Sequence, residues 1–265
     1  MTRITIVTIT YQAAKVLQPT LDSVLCQHHE WVEHIIVDGA STDGTVEMAK
    51  AYKQQSDAMG NGHEVRLLSE PDNGLYDAMN KGLQMATGDY VCFLNAGDRL
   101  ADEETLARVA EVAEAYSDGV SPAVVYGDTD IIDAEGRFLR HRRLAPPEVL
   151  SWRSFKHGML VCHQAFYAHT QQARQVPYDT RYRFSADVDW CIRVMKKAEE
   201  GKEPLCNAGK VLALYLEEGQ TTLHHKESLK ERFDVMRRHY GLCTTVAMHV
   251  WFVIRRMVRG GLVFF

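Results

Sequence analysis

Short apolar segments typical of β-strands alternate with longer segments of helical periodicity along the first part of the chain. The strand-like segments are 4–8, 34–37, 65–68 and 90–94, and the helix-like segments are 15–27, 45–55 and 75–85. Such alternation with short connections favours a parallel sheet that has helices on both faces. We therefore predict an α/β fold built on a Rossmann-type, mostly parallel sheet.

Polar residues follow each of these four predicted strands. They are Thr10 and Tyr11 after the first strand, Asp38 after the second, residues 70–73 after the third, and Asn95 and Asp98 after the fourth. Ligands of open parallel sheets bind beyond the carboxyl ends of the strands. We therefore expect these four segments to meet in one crevice.

The second half of the chain is less regular. Its predicted strands are 124–126, 160–167 and 211–216, its predicted basic hairpin arm is 137–143, and its helical segments are 187–197 and most of 226–259. We divide the chain into one half-domain at 1–115, a second half of the same domain at 116–235, and a helical C-terminal extension at 236–265.

The composition narrows the class of protein. The 265 residues carry a formal net charge of −5, so no global basic field attracts nucleic acid, and we predict no nucleic-acid partner. The six cysteines are scattered without a Cys-X-X-Cys pair, which argues against a zinc knuckle or a disulfide framework. The N-terminal residues do not resemble a signal peptide, and no apolar stretch is long enough to span a membrane, so we expect a cytoplasmic protein.

The segment 93–98 (FLNAGD) is the sharpest local feature of the sequence. It ends a predicted buried strand in a tight loop that carries the carboxylate of Asp98. A hard divalent cation takes such oxygen ligands and leaves positions open for phosphate oxygens, so Asp98 is a candidate metal ligand. The alternative is that Asp98 caps the predicted helix near residues 102–113.

Two loops offer candidate ligands for a nucleotide. Asp38 follows the second strand, where a carboxylate can accept hydrogen bonds from a ribose or a base, whereas Asp43 in the same loop is expected to cap the next helix. Of Asp72 and Asn73 after the third strand, one is expected to cap the helix 75–85 and the other to face the nucleotide.

Asp187 and Asp189 lie in the first turn of the predicted helix 187–197. A carboxylate there can take a proton from a hydroxyl group that acts as a nucleophile. The alternative is that both acids only complement the helix dipole. The residues themselves leave these two interpretations open.

Taken in order, these segments resemble the inverting family 2 glycosyltransferases of the GT-A fold over residues 3–230. The matching segments are 6–12 (IVTITYQ), 37–45 (VDGASTDGT), 70–74 (EPDNG), 93–98 (FLNAGD), 163–164 (HQ) and 186–189 (ADVD). The branch they resemble most makes bacterial exopolysaccharide, as the colanic-acid-type transferases do. The resemblance implies a GT-A-like fold, and an enzyme that moves a sugar from a nucleotide diphosphate carrier to an acceptor hydroxyl.

The same resemblance implies roles for the candidate residues. Those expected to bind the donor are Thr10, Tyr11, Asp38, Asp72, Asn73 and Asn95. Asp98 would hold Mn²⁺ or Mg²⁺, and Asp187 would be the general base. The nucleotide-sugar donor would bind to the half-domain at 1–115, and a saccharide acceptor, which a lipid can carry, would bind to residues 116–235.

The chain departs from the family pattern at some of these positions. Ile9 stands where the family usually has Pro, and Asn95 stands where the first acid of its Asp-X-Asp element lies. Ala186 replaces the Glu that usually precedes the catalytic Asp, and residues 218–222 replace a Gly-Gly-X-Ser loop. One firm carboxylate, that of Asp98, therefore remains for the metal.

Two other functions stay open at this point. A nucleotidyltransferase can use a similar sheet, although segment 8–14 lacks the Gly-rich, basic phosphate loop expected of one. A non-catalytic subunit of a polysaccharide assembly complex is the third interpretation. The loss of an acid at Asn95 favours that interpretation, and the presence of Asp98 and Asp187 opposes it.

The C-terminal segment 246–265 is apolar and carries only positive charge, at Arg255, Arg256 and Arg259, beside Trp251. A helix of this kind can lie in a membrane interface, where each basic residue near an anionic surface contributes about 1 kcal/mol. We therefore weigh a peripheral location on the inner face of the cytoplasmic membrane against packing on the protein core or on a second subunit.

Overall fold

The computed structural model describes residues 1–115, 121–217 and 225–258. Their main elements, in chain order, are β1 (Ile4–Thr10), α1 (Leu17–Leu25), β2 (Val32–Asp38), α2 (Thr45–Met59), β3 (Glu64–Ser69), α3 (Leu75–Met85), β4 (Tyr90–Phe93), β5 (Arg99–Leu100), α4 (Thr105–Glu114), β6 (Val124–Ile132), β7 (Phe138–His141), β8 (Phe166–His169), α5 (Thr170–Gln175), α6 (Ala186–Gly201), β9 (Leu205–Leu216), α7 (His225–Tyr240) and α8 (Leu242–Val258). Two short 3-10 helices, Trp152–His157 and His163–Ala165, lie between β7 and β8.

The strands form one sheet in the order β3-β2-β1-β4-β8-β6-β9-β5, and β7 pairs with β6. β1 runs parallel to β2 and β4, and β2 runs parallel to β3. Alternate side chains of β1 enter different apolar clusters, Val7 with α3 and Ile6 with α4. α3 approaches β1 closely at Gly82, where a Cβ atom would lie 2.3 Å from Cγ1 of Val7. The predicted sheet with helices on both faces is therefore confirmed.

The second half of the sheet is mixed. β8 runs antiparallel to β4 and β6, whereas β9 runs parallel to β6. The predicted arm 137–143 contains β7, which pairs antiparallel with β6. The predicted strand 160–167 is wrong, because a 3-10 helix interrupts it and β8 begins only at Phe166. At the interruption, the side chains of His163 and Gln164 bond to polar groups of another loop.

The helical C-terminal extension is confirmed as far as Val258, where α8 ends. α7 packs on α6, and Nε2 of His239 lies 2.8 Å from Oδ1 of Asp189 between them. Every helix within the described parts of the chain is too short or too polar to span a bilayer. Residues 259–265, with Arg259, and the loop 218–222 lie outside the described residues.

Candidate active site

The carboxylate of Asp38 joins the ends of three neighbouring strands. It is fully buried, and it accepts hydrogen bonds from Oγ1 of Thr10 at 3.0 Å, Oγ of Ser69 at 2.8 Å and the backbone nitrogen of Ser41 at 2.9 Å. The strand pairing explains this arrangement, because Asp38 lies opposite Thr10 on one side and opposite Ser69 on the other. Asp38 therefore sets the shape of this edge of the sheet.

Tyr11 and Asp72 meet above the loop that follows β2. The Tyr11 side chain is 68% exposed. A Cβ atom at Gly39 would lie 2.6 Å from Oδ2 of Asp72 and 3.2 Å from Cδ2 of Tyr11. Because Gly39 has no side chain, the carboxylate of Asp72 and the exposed ring of Tyr11 can both approach its backbone. A carboxylate beside an exposed aromatic ring suits a planar polar ligand.

Two residues in this region have strained backbones. Gln12 has φ of 49° and Ala40 has φ of 61°, values that residues other than glycine rarely adopt. The two loops are joined where the backbone nitrogen of Gln12 donates to Oγ of Ser41 at 2.8 Å. Such strain is concentrated at ligand sites in many proteins. Its position beside Tyr11 agrees with a binding role for the crevice.

Asn73 and Asp43 serve local structure. The backbone nitrogen of Asn73 donates to Oδ2 of Asp77 at 2.9 Å, and its side-chain amide turns to the same carboxylate. Asp72 holds the backbone nitrogen of Gly74 with one oxygen, which leaves the other beside Gly39. Asp43 accepts hydrogen bonds from the backbone nitrogens of Ala14 and Thr45. The capping role expected of Asp43 is wrong, because Gly44 is the N-cap of α2 and no side chain caps that helix.

Asp98 lies buried after β4, with 4% of its surface exposed. Its oxygens accept hydrogen bonds from Nε2 of Gln164 at 2.7 Å and from the backbone nitrogen of Leu216 at 3.0 Å. Burial raises the pKa of Asp98 to about 6, although both hydrogen bonds and the nearby His163 oppose this shift. The capping alternative for Asp98 is wrong, because Asp102 accepts the hydrogen bond from the backbone nitrogen of Glu104 before α4.

A chain of polar contacts connects the loop after β4 to the start of α6. Nδ2 of Asn95 lies 3.2 Å from Nε2 of His163, whose Nδ1 lies 3.4 Å from Oδ2 of Asp187. The hydroxyl of Tyr76 donates to Oδ1 of Asp187 at 3.2 Å. These contacts place the ring of His163 between the amide of Asn95 and the carboxylate of Asp187.

Asp187 and Asp189 have different surroundings although they share one helical turn. Burial raises the pKa of Asp187, but the hydrogen bond and charge of His163 and the charge of Arg232 outweigh burial, so that this pKa is lowered. Asp189 is fully buried and is bonded to Nε of Arg193 at 2.6 Å and to His239. Asp187 therefore remains an ionised carboxylate beside the crevice, whereas Asp189 joins α6 to α7.

A divalent ion would find one carboxylate, that of Asp98, in the loop after β4. Within 1–115, 121–217 and 225–258, no group of three or more His, Cys, Asp or Glu side chains is arranged to hold a metal. Both oxygens of Asp98 accept hydrogen bonds, but the buried Oδ1 of Asn95 has no partner among the described residues. Proteins often bind Mg²⁺ with one or two carboxylates and the phosphates of a substrate, so Asp98 and Asn95 fit a site that a diphosphate would complete.

Three residues of this region were assigned no function from the sequence, although the pair 163–164 contributed to the family resemblance. His163 and Gln164 contact Asp187 and Asp98, and Tyr76 donates to Asp187. The available signal was the polar pair His163-Gln164 inside an otherwise apolar segment, which a strand with two buried faces would not tolerate. No comparable signal marks Tyr76.

The chain thus combines a parallel sheet, an acidic crevice at the carboxyl edge of that sheet and a carboxylate at the start of α6. The profile of the family "Glycosyl transferase family 2" matches residues 5–173, and the chain belongs to this family. The predicted resemblance is therefore confirmed.

Two curated relatives show how far the similarity extends. A "PGL/p-HBAD biosynthesis glycosyltransferase" of Mycobacterium tuberculosis is 36% identical over 190 residues, which cover 69% of this chain and 66% of that protein. The amylovoran biosynthesis glycosyltransferase AmsB of Erwinia amylovora is 29% identical over 192 residues, which cover 70% of this chain and 62% of that protein. The chain thus matches slightly less than two thirds of the length of these relatives.

Solved structures of low sequence identity share the fold. TarS of S. aureus in complex with UDP-GlcNAc superposes with a TM-score of 0.67 at 17% identity, over 89% of this chain and 64% of that chain. A mannosyltransferase of Pyrobaculum calidifontis in complex with GDP-Man and Mn²⁺ gives a TM-score of 0.57 at 17% identity, over 98% of this chain and 76% of that chain. These superpositions agree with the predicted GT-A-like fold.

Proposed function

We propose that this protein transfers a sugar from a nucleotide diphosphate donor to an acceptor hydroxyl, with inversion at the anomeric carbon, in the assembly of a cell-surface saccharide. One observation carries the proposal: the ionised carboxylate of Asp187 lies beside the loop after β4, linked through His163 to Asn95. The family of the chain and the printed roles of its relatives, which concern PGL/p-HBAD and amylovoran biosynthesis, support this function.

The donor nucleoside binds at the ends of β1, β2 and β3 in this proposal. Tyr11 stacks on the base, and Asp72 offers the carboxylate oxygen that lies beside Gly39. Asp38 and Thr10 hold the strand ends in place beneath them. The complexes of related folds with UDP-GlcNAc and GDP-Man agree with a nucleotide-sugar donor.

A divalent ion, Mn²⁺ or Mg²⁺, belongs to the proposed donor complex. Asp98 and Oδ1 of Asn95 would hold it. When bound, the ion supplies positive charge for the diphosphate leaving group. The Mn²⁺ in the complex of the Pyrobaculum mannosyltransferase supports this part of the proposal.

Asp187 is the proposed general base. While the acceptor oxygen attacks the anomeric carbon, its proton passes to Asp187. The bond from that carbon to the diphosphate oxygen breaks, and its electron pair leaves on the diphosphate. The hydroxyl of Tyr76 and the ring of His163 hold the carboxylate in one orientation, which favours proton transfer along a fixed line.

A product assay tests the proposal directly. The protein is incubated with UDP-, GDP- and dTDP-linked sugars, Mn²⁺ and saccharide acceptors, both free and lipid-linked. Release of a nucleoside diphosphate that depends on acceptor supports glycosyl transfer. Release of inorganic pyrophosphate from a nucleoside triphosphate and a sugar phosphate would identify a nucleotidyltransferase. Donor binding without turnover across the panel would favour a non-catalytic subunit.

A further inference from the structure

The helix α8 has one packed side and one open side. Thr245 is fully buried, and the rings of His249 and Phe233 pack with their centroids 5.0 Å apart. The open side carries apolar residues that are each 45% to 57% exposed, namely Leu242, Val246, Val250, Trp251, Val253 and Ile254. Their spacing of three or four residues places most of them on a single stripe along the helix. We call this set of six residues the α8 stripe.

The α8 stripe is free of charge along its whole length. No Asp, Glu, Lys or Arg occurs between residues 241 and 254, and the next two residues are Arg255 and Arg256. A contiguous apolar surface of this kind is unusual on a monomeric protein and marks a contact with another apolar phase or molecule. The described helices do not span a bilayer, so the contact would be made along the side of the helix.

Positive charge collects at one end of the α8 stripe. The 3-10 helix Trp152–His157 packs against α8. Burial, and then the charges of Lys156 and Arg255, lower the pKa of His157, which places these three residues near one another. Among the described residues, neither Lys156 nor Arg255 forms an ion pair with an acid. We call Lys156 and Arg255 the basic cluster.

The combination of stripe and cluster distinguishes between two occupants. A second copy of this chain would cover the stripe, but neither the stripe nor the basic cluster contains an acid that could receive the cations of the other copy. An anionic lipid surface satisfies both parts at once, since acyl chains take up the apolar side chains and headgroups neutralise the cations. Trp251 matches the amphipathic rings that proteins place at such interfaces.

We propose that the α8 stripe and the basic cluster form a docking surface that lies in the headgroup region of an anionic bilayer. α8 lies parallel to the membrane, and the six apolar side chains point into the acyl boundary. This surface lies outside the crevice of Asp98 and Asp187, and the proposal does not depend on the sugar that is transferred.

Vesicle sedimentation tests the surface. The full-length protein is mixed with phosphatidylcholine vesicles, with and without phosphatidylglycerol, at low and high salt. We expect binding to the anionic vesicles that weakens with salt, because exposed charges are screened. Val250→Asp should lower the partition coefficient at least about tenfold, since it removes the insertion of one apolar side chain and adds a charge. The double change Lys156→Glu and Arg255→Glu should lower it by about tenfold or more.

Matched controls separate the surface from general changes of charge and hydropathy. Val149→Asp changes a valine that is 80% exposed but lies outside α8, and Lys50→Glu reverses an exposed cation on α2. Both should leave vesicle binding unchanged, and circular dichroism checks that every variant is folded. If Val250→Asp unfolds the protein, the double charge reversal at the partly exposed Lys156 and Arg255 still decides the outcome.

Three results would overturn the proposal. The first is wild-type protein that does not sediment with anionic vesicles at low salt. The second is binding that the stripe and cluster variants leave unchanged. The third is a lipid-free dimer, measured by sedimentation velocity, that does not bind vesicles and that Val250→Asp dissociates. In that case a second copy of the chain covers the stripe.

Discussion

The two sides of the crevice hold their carboxylates in different ways. On the nucleoside side, Asp38 accepts hydrogen bonds from two hydroxyl groups at adjacent strand ends and from one backbone nitrogen of its own loop. On the transfer side, Asp98 and Asp187 depend on partners that are distant in sequence, such as Gln164, 66 residues away from Asp98. The first arrangement follows from the sheet itself, whereas the second requires the mixed half of the molecule to fold against the first.

The two carboxylates of the transfer side also differ from each other in their electrostatics. Burial raises the pKa of Asp98 to about 6, whereas the pKa of Asp187 is lowered because His163 outweighs its burial. Two acids of one region therefore differ in pKa, as acids with different roles do in many active sites. A bound cation would stabilise the ionised form of Asp98, whereas Asp187 is already ionised and can accept a proton. Substitutions of Asp98 and Asp187 should therefore differ in their effects on stability and on metal binding, although both reduce turnover.

The largest effect is expected for Asp187→Asn. The amide keeps the volume and the contact with Tyr76 but cannot accept the proton, so kcat should fall by about 10²–10⁴-fold while donor affinity changes little. Initial rates and calorimetry with the nucleoside diphosphate measure the two quantities. Asp189→Asn is the matched control, and it should lower the melting temperature rather than kcat because Asp189 joins α6 to α7. An Asp187→Asn variant that keeps most of its transfer activity would place the base elsewhere.

Asp98→Asn should also abolish most turnover, yet it should stabilise the fold at neutral pH. The pKa of Asp98 lies near 6 in the folded protein, above the usual value of 3.8. The buried carboxylate is therefore destabilising above pH 6, and this cost disappears as the pH falls from about 6 towards 4. The neutral amide of the variant removes a destabilisation of the folded state of up to about 3 kcal/mol. The side-chain amide of Gln164 can rotate so that its oxygen accepts a hydrogen bond from the new amide nitrogen.

Thermal melts at pH 7.5 and pH 5 check this prediction for Asp98. The variant should melt at a higher temperature than the wild type at pH 7.5, and the difference should shrink at pH 5. Binding of the donor with Mn²⁺ to the wild type should weaken as the pH falls through about 6, because protonation removes the charge of Asp98. Full turnover in EDTA would contradict an essential metal.

A smaller loss of kcat is expected for His163→Gln. Glutamine can still donate to Asp187, but the charge and ring of His163 are lost, and one hydrogen bond to a charged group contributes about 1.5–3 kcal/mol. We expect kcat to fall by about tenfold or more while donor affinity is retained. Since His163 lowers the pKa of Asp187, its removal raises that pKa, and the acidic limb of the kcat profile should move to higher pH. An unshifted limb would leave His163 with a purely structural role.

The sequence predicted more of the contacts on the nucleoside side of the crevice than on the transfer side, and the comparison of the two sides explains why. The contact between Thr10 and Asp38 follows from the pairing of β1 with β2, which periodicity indicates. The contact between Gln164 and Asp98 could not be predicted, because segment 160–167 is apolar enough to resemble a strand and only the folded chain turns it at His163. The capping alternative for Asp98 failed for a related reason, since Asp102 lies one turn closer to α4. The roles of Asp98 and Asp187 in turnover stay predictions.

The smallest effect is expected on the nucleoside side, for Asp38→Ala. Asp38 is fully buried, so it acts on the donor through the loops that carry Tyr11 and Gly39. Its loss leaves the hydroxyls of Thr10 and Ser69 and the nitrogen of Ser41 without an acceptor, which relaxes those loops but keeps the sheet. We expect Kd for the nucleoside diphosphate to rise about tenfold, the size of one lost hydrogen bond to a charged group, while kcat at saturating donor and the affinity for acceptor stay nearly constant.

Asp38→Asn separates positioning from charge. An amide oxygen can still accept a hydrogen bond from Thr10, so a positioning role predicts a milder increase in Kd than in the alanine variant. Equal losses in both variants would indicate that the charge of Asp38 contacts the donor, and an unchanged Kd in Asp38→Ala would remove this residue from the nucleotide site.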